Sequence, residues 1–286
     1  MVNKGIEVSA DADIIRSKAF VWNLGGNFSR NRNEVTKIAD GLNSFNVEST
    51  FGDPEPYAYV GQQYGVLFGS MWARDPDGNI IVDESGIPLA ADTFGVIGSP
   101  YPQWLSNIRN TFSYKGLSLT VLFDIRKGGD IWDGTIARMN RIGTTKESGD
   151  NRDKTFIVDG VKAVDDGNGN ITYVKNDIEI DAFTYYNHVV GDGAFGVREN
   201  AIFDGSWVRL RELTLAYDLP VAKVFKNTPI KSLTARVTGR NVWLKTKYPG
   251  TDPETSLNGA GSNVQGYNYF NMPGTKSWLF GLSIGF

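Results

Sequence analysis

The sequence has no cysteine among its 286 residues, so disulfides and thiolate metal sites are excluded. That absence fits an oxidising compartment such as the periplasm. A single histidine, His188, rules out a zinc site built from several histidines, and no nucleophile-elbow motif accompanies it. No stretch approaches the roughly 18 to 20 consecutive apolar residues that a spanning helix needs. A spanning barrel stays open, because its strands are apolar only at alternate positions. The net charge of −3 gives no basic footprint, and no nucleic-acid partner is expected. Self-similarity at a fixed period is missing, which sets aside propellers and solenoids. The opening Met1-Val2-Asn3-Lys4-Gly5 has no apolar signal region and enters a strand-like pattern at once. Asp75-x-Asp77-Gly78-Asn79 reads as a hairpin turn, with a loop cation as the alternative. No catalytic residue, metal or cofactor is expected.

Present in quantity are 33 glycines and 35 aromatics (16 Phe, 12 Tyr, 7 Trp), which suits strands joined by tight turns and an aromatic girdle. Seven segments alternate with period two. They are centred on Ile6–Ala10, Phe20–Ser29, Ile108–Tyr114, Leu117–Arg126, Leu213–Leu219, Ser232–Arg240 and Ser277–Phe286. Between residues 207 and 213 the phase slips, so that Val208 and Leu210 fall opposite Leu213 and Leu215, which predicts a β-bulge. Three connections are short (11–17, Lys115-Gly116 and 220–230) and three are long (about 32–102, 128–205 and 247–275), in strict alternation. Outer-membrane barrels show this asymmetry, with short periplasmic turns and long extracellular loops. The long connections carry local signals: a strand over Val60–Trp72, a short helix over Ile131–Arg141, and turn chemistry at Asp165–Asn170.

Several stretches together resemble the C-terminal part of SusC/RagA-family TonB-dependent outer-membrane transporters. They are Asn3-Lys4-Gly5-Ile6-Glu7, Trp72–Gly78, Leu122–Trp132, Asp204–Glu212, Thr238-Gly239-Arg240-Asn241, Asp252-Pro253-Glu254-Thr255 and Phe270–Lys276. The resemblance implies an all-β fold, the last seven or so strands of an antiparallel transmembrane barrel of about 22 strands. It implies import of oligosaccharides or peptides in the outer membrane of a Gram-negative bacterium, powered through TonB. The implied partners are a SusD-like surface lipoprotein, the TonB complex, outer-membrane lipid and the outer-membrane assembly machinery. Nothing in the chain matches the family's signal peptide, TonB-binding segment or plug. Residues 1–286 are therefore expected to be a C-terminal barrel segment.

Two other readings stay open. One is a self-contained small barrel acting as a porin or adhesin, against which an odd strand number argues unless a strand hides in 32–102. The other is a secreted carbohydrate-binding β-domain, whose apolar faces would pack into a dry core. In the transporter reading, the loop aromatics Trp132, Tyr248, Tyr267 and Tyr269 are candidate ligand contacts, with loop self-packing as their plain alternative. Trp278, Phe280, Leu282, Ile284 and Phe286 place an apolar side chain at every second position of the last strand. That is expected of a lipid-facing strand and resembles the C-terminal signal read by the assembly machinery.

Overall fold

The computed structural model describes residues 1–50, 52–165, 167–193, 196–221, 228–259 and 261–286. Seven long strands run through it: β1 (Val2–Arg16), β2 (Phe20–Glu34), β3 (Trp104–Tyr114), β4 (Leu117–Lys127), β5 (Trp207–Asp218), β6 (Ser232–Thr246) and β7 (Ser277–Gly285). They pair antiparallel in the order of the sequence, with β1 and β7 at the two edges. The chain is all-β, as its alternation predicts.

Local chemistry sets the tight turns. Lys115 (φ 46°) and Gly116 (φ 86°) both lie in the left-handed region, the geometry of a two-residue hairpin whose twist matches its strands. Tyr114 and Leu117 face each other directly across it. The connection expected over 11–17 is shorter than the sequence suggests. β1 continues to Arg16 through a register shift between Asp13 and Ile15, which is where the alternation loses its phase. The third short connection includes residues 222–227, which lie outside the described residues, as does Asp166 of the Asp165–Asn170 turn. Ser232 pairs with Gly285 and Tyr217 with Leu117. The short connections and the chain end Phe286 therefore share one end of the sheet, and the long connections share the other.

The register gathers the apolar positions onto one face. A single cross-strand row runs Ile15, Trp22, Phe112, Leu119, Leu215, Val237 and Phe280 from β1 to β7. Trp22 and Phe112 stack at 5.8 Å. The Trp22 indole N–H donates to Asn110 at 3.1 Å, which supplies a partner for a polar side chain on this apolar face. Below the row lie Phe20, Tyr114, Leu117, Tyr217 and Leu282; above it lie Leu24, Val121, Leu213 and Trp278. Trp278 lies over Gly239, where a Cβ would come within 2.8 Å of the indole, so the glycine makes room for the aromatic at the edge. The face stays uncovered in this chain, with Phe280 80% and Leu215 48% exposed. The dry core required by a secreted carbohydrate-binding domain is not made by these strands.

The expected bulge is there. Register shifts between Leu210 and Glu212 against both β4 and β6, and Arg211 is the additional residue. The extra residue lets Val208 and Leu210 share the apolar face with Leu213 and Leu215 despite their opposite parity. The other face is polar. Thr111 and Thr120 approach to 3.3 Å, Thr214 and Thr238 to 2.9 Å, and Thr120 pairs with Thr214, making a hydroxyl ladder across four strands.

Buried hydrophobic clusters form instead in the long connections. One joins Leu67, Trp132, Ala137, Ala201, Val264 and Tyr267, drawing on all three. The second joins Val82, Val158, Ile180 and Val189 from the first two. Two local expectations are corrected here. Only Val66–Gly69 of the Val60–Trp72 stretch is a strand. Ile131 and Trp132 belong to a short strand, Asp130–Asp133, and the helix α1 follows at Gly134–Arg141, capped by Asp133 through Ile136 N at 2.9 Å.

Candidate functional site

The three long connections fold together into a layer over one end of the sheet, and two polar clusters fix it. The first is wholly inside the layer. The Asp133 carboxylate, fully buried, accepts from the Tyr248 hydroxyl and from Asn268 Nδ2 at 2.9 Å. Asn268 Nδ2 also donates to the Tyr248 oxygen at 2.7 Å. Burial, with Asp133 beside it, pushes the Tyr248 hydroxyl well above the ordinary tyrosine range. Burial does the same to Tyr267, helped by Glu55, and its hydroxyl donates to Pro54 O at 3.1 Å.

The second cluster ties the layer to the polar face of the sheet. Arg209 on β5 donates to Asp252 at 2.6 Å and lies 2.9 Å from Glu254. Arg211, at the bulge, reaches Glu254 at 2.5 Å, Asp124 on β4 at 2.6 Å and Asn241 Oδ1 at 3.0 Å. Asn241 in turn donates to Thr275 O at 3.1 Å. Both guanidinium groups sit over the Trp207 ring, at 5.5 and 5.6 Å. Asp252, Glu254 and Thr275 of the last long connection are thereby clamped to three strands. The bulge makes this possible: it puts Arg209 and Arg211 on the polar side while Leu210 and Leu213 stay on the apolar side.

The four loop aromatics come together only in part. Trp132 meets Tyr267 edge-on at 5.6 Å and stacks with Tyr269 at 5.9 Å. Tyr248 stands apart, against Phe203 at 6.2 Å, and is joined to Trp132 through its neighbour Asp133. Trp132, Tyr248 and Tyr267 are buried, Tyr267 completely. Their rings are committed to the layer's interior, and Tyr269 is the one of the four with a partly exposed ring. The last-strand residues Trp278, Phe280, Leu282, Ile284 and Phe286 are all exposed on the apolar side. Asp75 closes its turn by accepting from Asn79 N at 2.7 Å and Asp77 N at 3.0 Å, as the hairpin reading requires. The ionic cluster was missed by sequence reasoning. Its members lie in stretches noted for resemblance, but nothing along the chain pairs position 209 with 252.

No protein-family profile matches the chain. Over 99% of its length it is 26% identical to TonB-dependent receptor P3 and 28% identical to TonB-dependent receptor P26, both of Formosa agariphila. The chain is a relative of the TonB-dependent receptors. It spans 28% and 29% of the length of those two proteins. Its fold matches solved structures of the RagAB peptide importer over 99% of the chain. The TM-score is 0.65 for both the 'open-open' state at 19% identity and the 'closed-closed' state at 18%. The match covers 28% and 29% of those chains.

The curated relatives of this TonB-dependent receptor relative are receptors by name, and the structures whose fold it shares are those of a peptide importer. The apolar face described above is the one suited to lipid. The stretches that carry the resemblance also acquire a structural meaning. Asp124, Arg209, Arg211, Asn241, Asp252, Glu254 and Thr275 come from five of them and meet in the single clamp between sheet and loop layer.

Proposed function

We propose that this chain builds part of the wall and outer mouth of a TonB-powered importer of oligosaccharides or peptides. The observation that carries this reading is the sheet itself. One face is an unbroken apolar row from β1 to β7, the other is hydroxylated and charged, and every long connection folds at the same end. A lipid-facing outer surface and a water-filled interior call for that division. The RagAB likeness supports it and favours a peptide cargo, while the curated relatives leave the cargo open.

In this reading the polar face lines the lumen and the loop layer faces outward. A SusD-like lipoprotein caps the mouth, and TonB acts through the plug of the intact receptor. The outer-membrane assembly machinery recognises the last strand. Binding residues concentrate on loops held by a rigid scaffold. Substrate contacts are accordingly assigned to the exposed surface of the layer, including Tyr269, with Trp132, Tyr248 and Tyr267 positioning that surface from beneath. The test is uptake by cells whose only copy of the intact receptor carries Tyr269→Ala, supplied with either an oligosaccharide or an oligopeptide mixture. Reduced uptake of one class at normal surface levels supports the reading and names the cargo. Unchanged growth on both classes after deletion of the whole receptor removes it.

A further inference from the structure

The apolar face of the sheet ends in cations at the side of the long connections, and neither the import reading nor the loop clamp uses them. Phe28 and Trp104 mark the upper limit of the belt, their rings 5.8 Å apart. Continuing the alternation past Phe28, the same face carries Arg30 and Arg32 on β2, with Lys4 opposite Arg32 on β1 and Lys127 opposite Trp104 on β4. These four side chains line one open cavity of about 950 Å³. All four are exposed, and none forms an ion pair among the described residues.

The cavity is amphipathic. Val2 and Ile6 flank Lys4 on its wall, and the belt begins directly below it. Three carboxylates also face it: Glu34, Asp130 and Asp204. Two of them are engaged by their own backbone surroundings, Asp130 accepting from Ser99 N at 2.8 Å and Asp204 from Ser206 N at 2.9 Å. Burial raises the Asp130 carboxyl above the usual range, which weakens its opposition to an anion. The cations project from the last strand residues before the loops. Where lipid-facing strands leave the hydrocarbon, basic side chains lay their stems on apolar surface and reach the headgroups with their charge.

We propose that Lys4, Arg30, Arg32 and Lys127 form a binding site for the phosphate of an anionic membrane lipid, whose acyl chains lie on the apolar belt beneath. Arginine suits this ligand because its planar fork matches phosphate oxygens two at a time. The inference rests on the sheet spanning a membrane and is independent of what the receptor imports.

The experiment places the intact receptor in phosphatidylcholine nanodiscs doped with lipid A, with dephosphorylated lipid A as control, and reads retained lipid by native mass spectrometry. Both leaflets carry the probe, so orientation does not affect the result. Wild type is expected to retain the phosphorylated lipid in preference to the control. Arg30→Gln/Arg32→Gln/Lys127→Gln should retain about tenfold less or lower still, while Arg30→Lys/Arg32→Lys keeps most of it. Should the triple variant fail to give a folded barrel on heat-modifiability gels, Arg32→Gln alone serves, since that side chain is exposed and without an ion pair. Excess inorganic phosphate should not displace the lipid. Equal retention by the variants, or no preference for the phosphorylated form, overturns the proposal. Full displacement by inorganic phosphate overturns the lipid assignment in favour of a free-anion site.

Discussion

Arg209 and Asp252, 43 residues apart in sequence, meet at 2.6 Å with both side chains buried. One stands on a strand and the other on a long connection, so this buried ion pair is one of the contacts that hold the connection to the sheet. Removing Arg209 strands the Asp252 charge away from water, which costs about 3–5 kcal/mol, whereas Arg209 without Asp252 keeps Glu254 at 2.9 Å and should lose less. Arg209→Ala and Asp252→Ala should each loosen the 247–275 connection, seen as new protease cleavage there with the barrel strands still protected. The double variant should be less damaged than the sum of the two. Additive losses would show that the pair is not coupled.

Opposite faces of β5 should respond oppositely to charge. Leu215 lies on the apolar row and Thr214 on the hydroxyl ladder. Leu215→Arg in the intact receptor should destabilise the lipid-embedded barrel by about 2–4 kcal/mol if it sits near mid-membrane. Thr214→Arg should leave the folded fraction nearly unchanged. Urea unfolding in lipid vesicles measures both, and equal sensitivity at the two positions would remove the assignment of faces.

Trp132 anchors the larger loop cluster, against Tyr267 and Tyr269. Trp132→Ala should cost the loop layer about 3–5 kcal/mol through the cavity left behind. Loop protection in hydrogen exchange would fall while the strands keep theirs. Loss of substrate binding with unchanged loop protection would instead make Trp132 a direct ligand contact.

The loop layer should be sensitive to alkali. Tyr248 and Tyr267 are held above the ordinary tyrosine range in the folded layer, chiefly by burial, and return to about pH 10 when exposed. A raised folded value means the contribution is complete below about pH 10 and is lost as pH climbs through the folded values. Tyrosinate absorbance should therefore appear together with loss of loop protection rather than before it. Tyr248→Phe should weaken the layer at neutral pH, because Asp133 and Asn268 lose a partner, and flatten its alkaline transition.

Phe286 ends the chain on the apolar side and is 73% exposed. Phe286→Asp in the intact receptor should lower its surface level while synthesis is unchanged. Normal surface levels would exclude a sorting role for the last strand.

The strands were legible because period-two alternation is a local property, and burial or lipid acts on every second residue alike. The alternation that places Trp22, Phe112, Leu119, Leu215, Val237 and Phe280 on the apolar faces of their strands, the turn at Lys115-Gly116 and the bulge before Leu213 could each be read from residue order alone. The true length of β1 could not, since its bulge between Asp13 and Ile15 scrambles the pattern in a polar stretch. Nor could the roles of Trp132, Tyr248 and Tyr267. An aromatic in a long loop carries no periodic signal, and only folding the three connections together decides whether its ring is displayed or enclosed. The clamp of Arg209, Arg211, Asp252 and Glu254 lies furthest from sequence reading. Ion pairing depends on separation in space, and positions 209 and 252 become neighbours only when β5 carries its bulge and the last long connection folds back over the sheet.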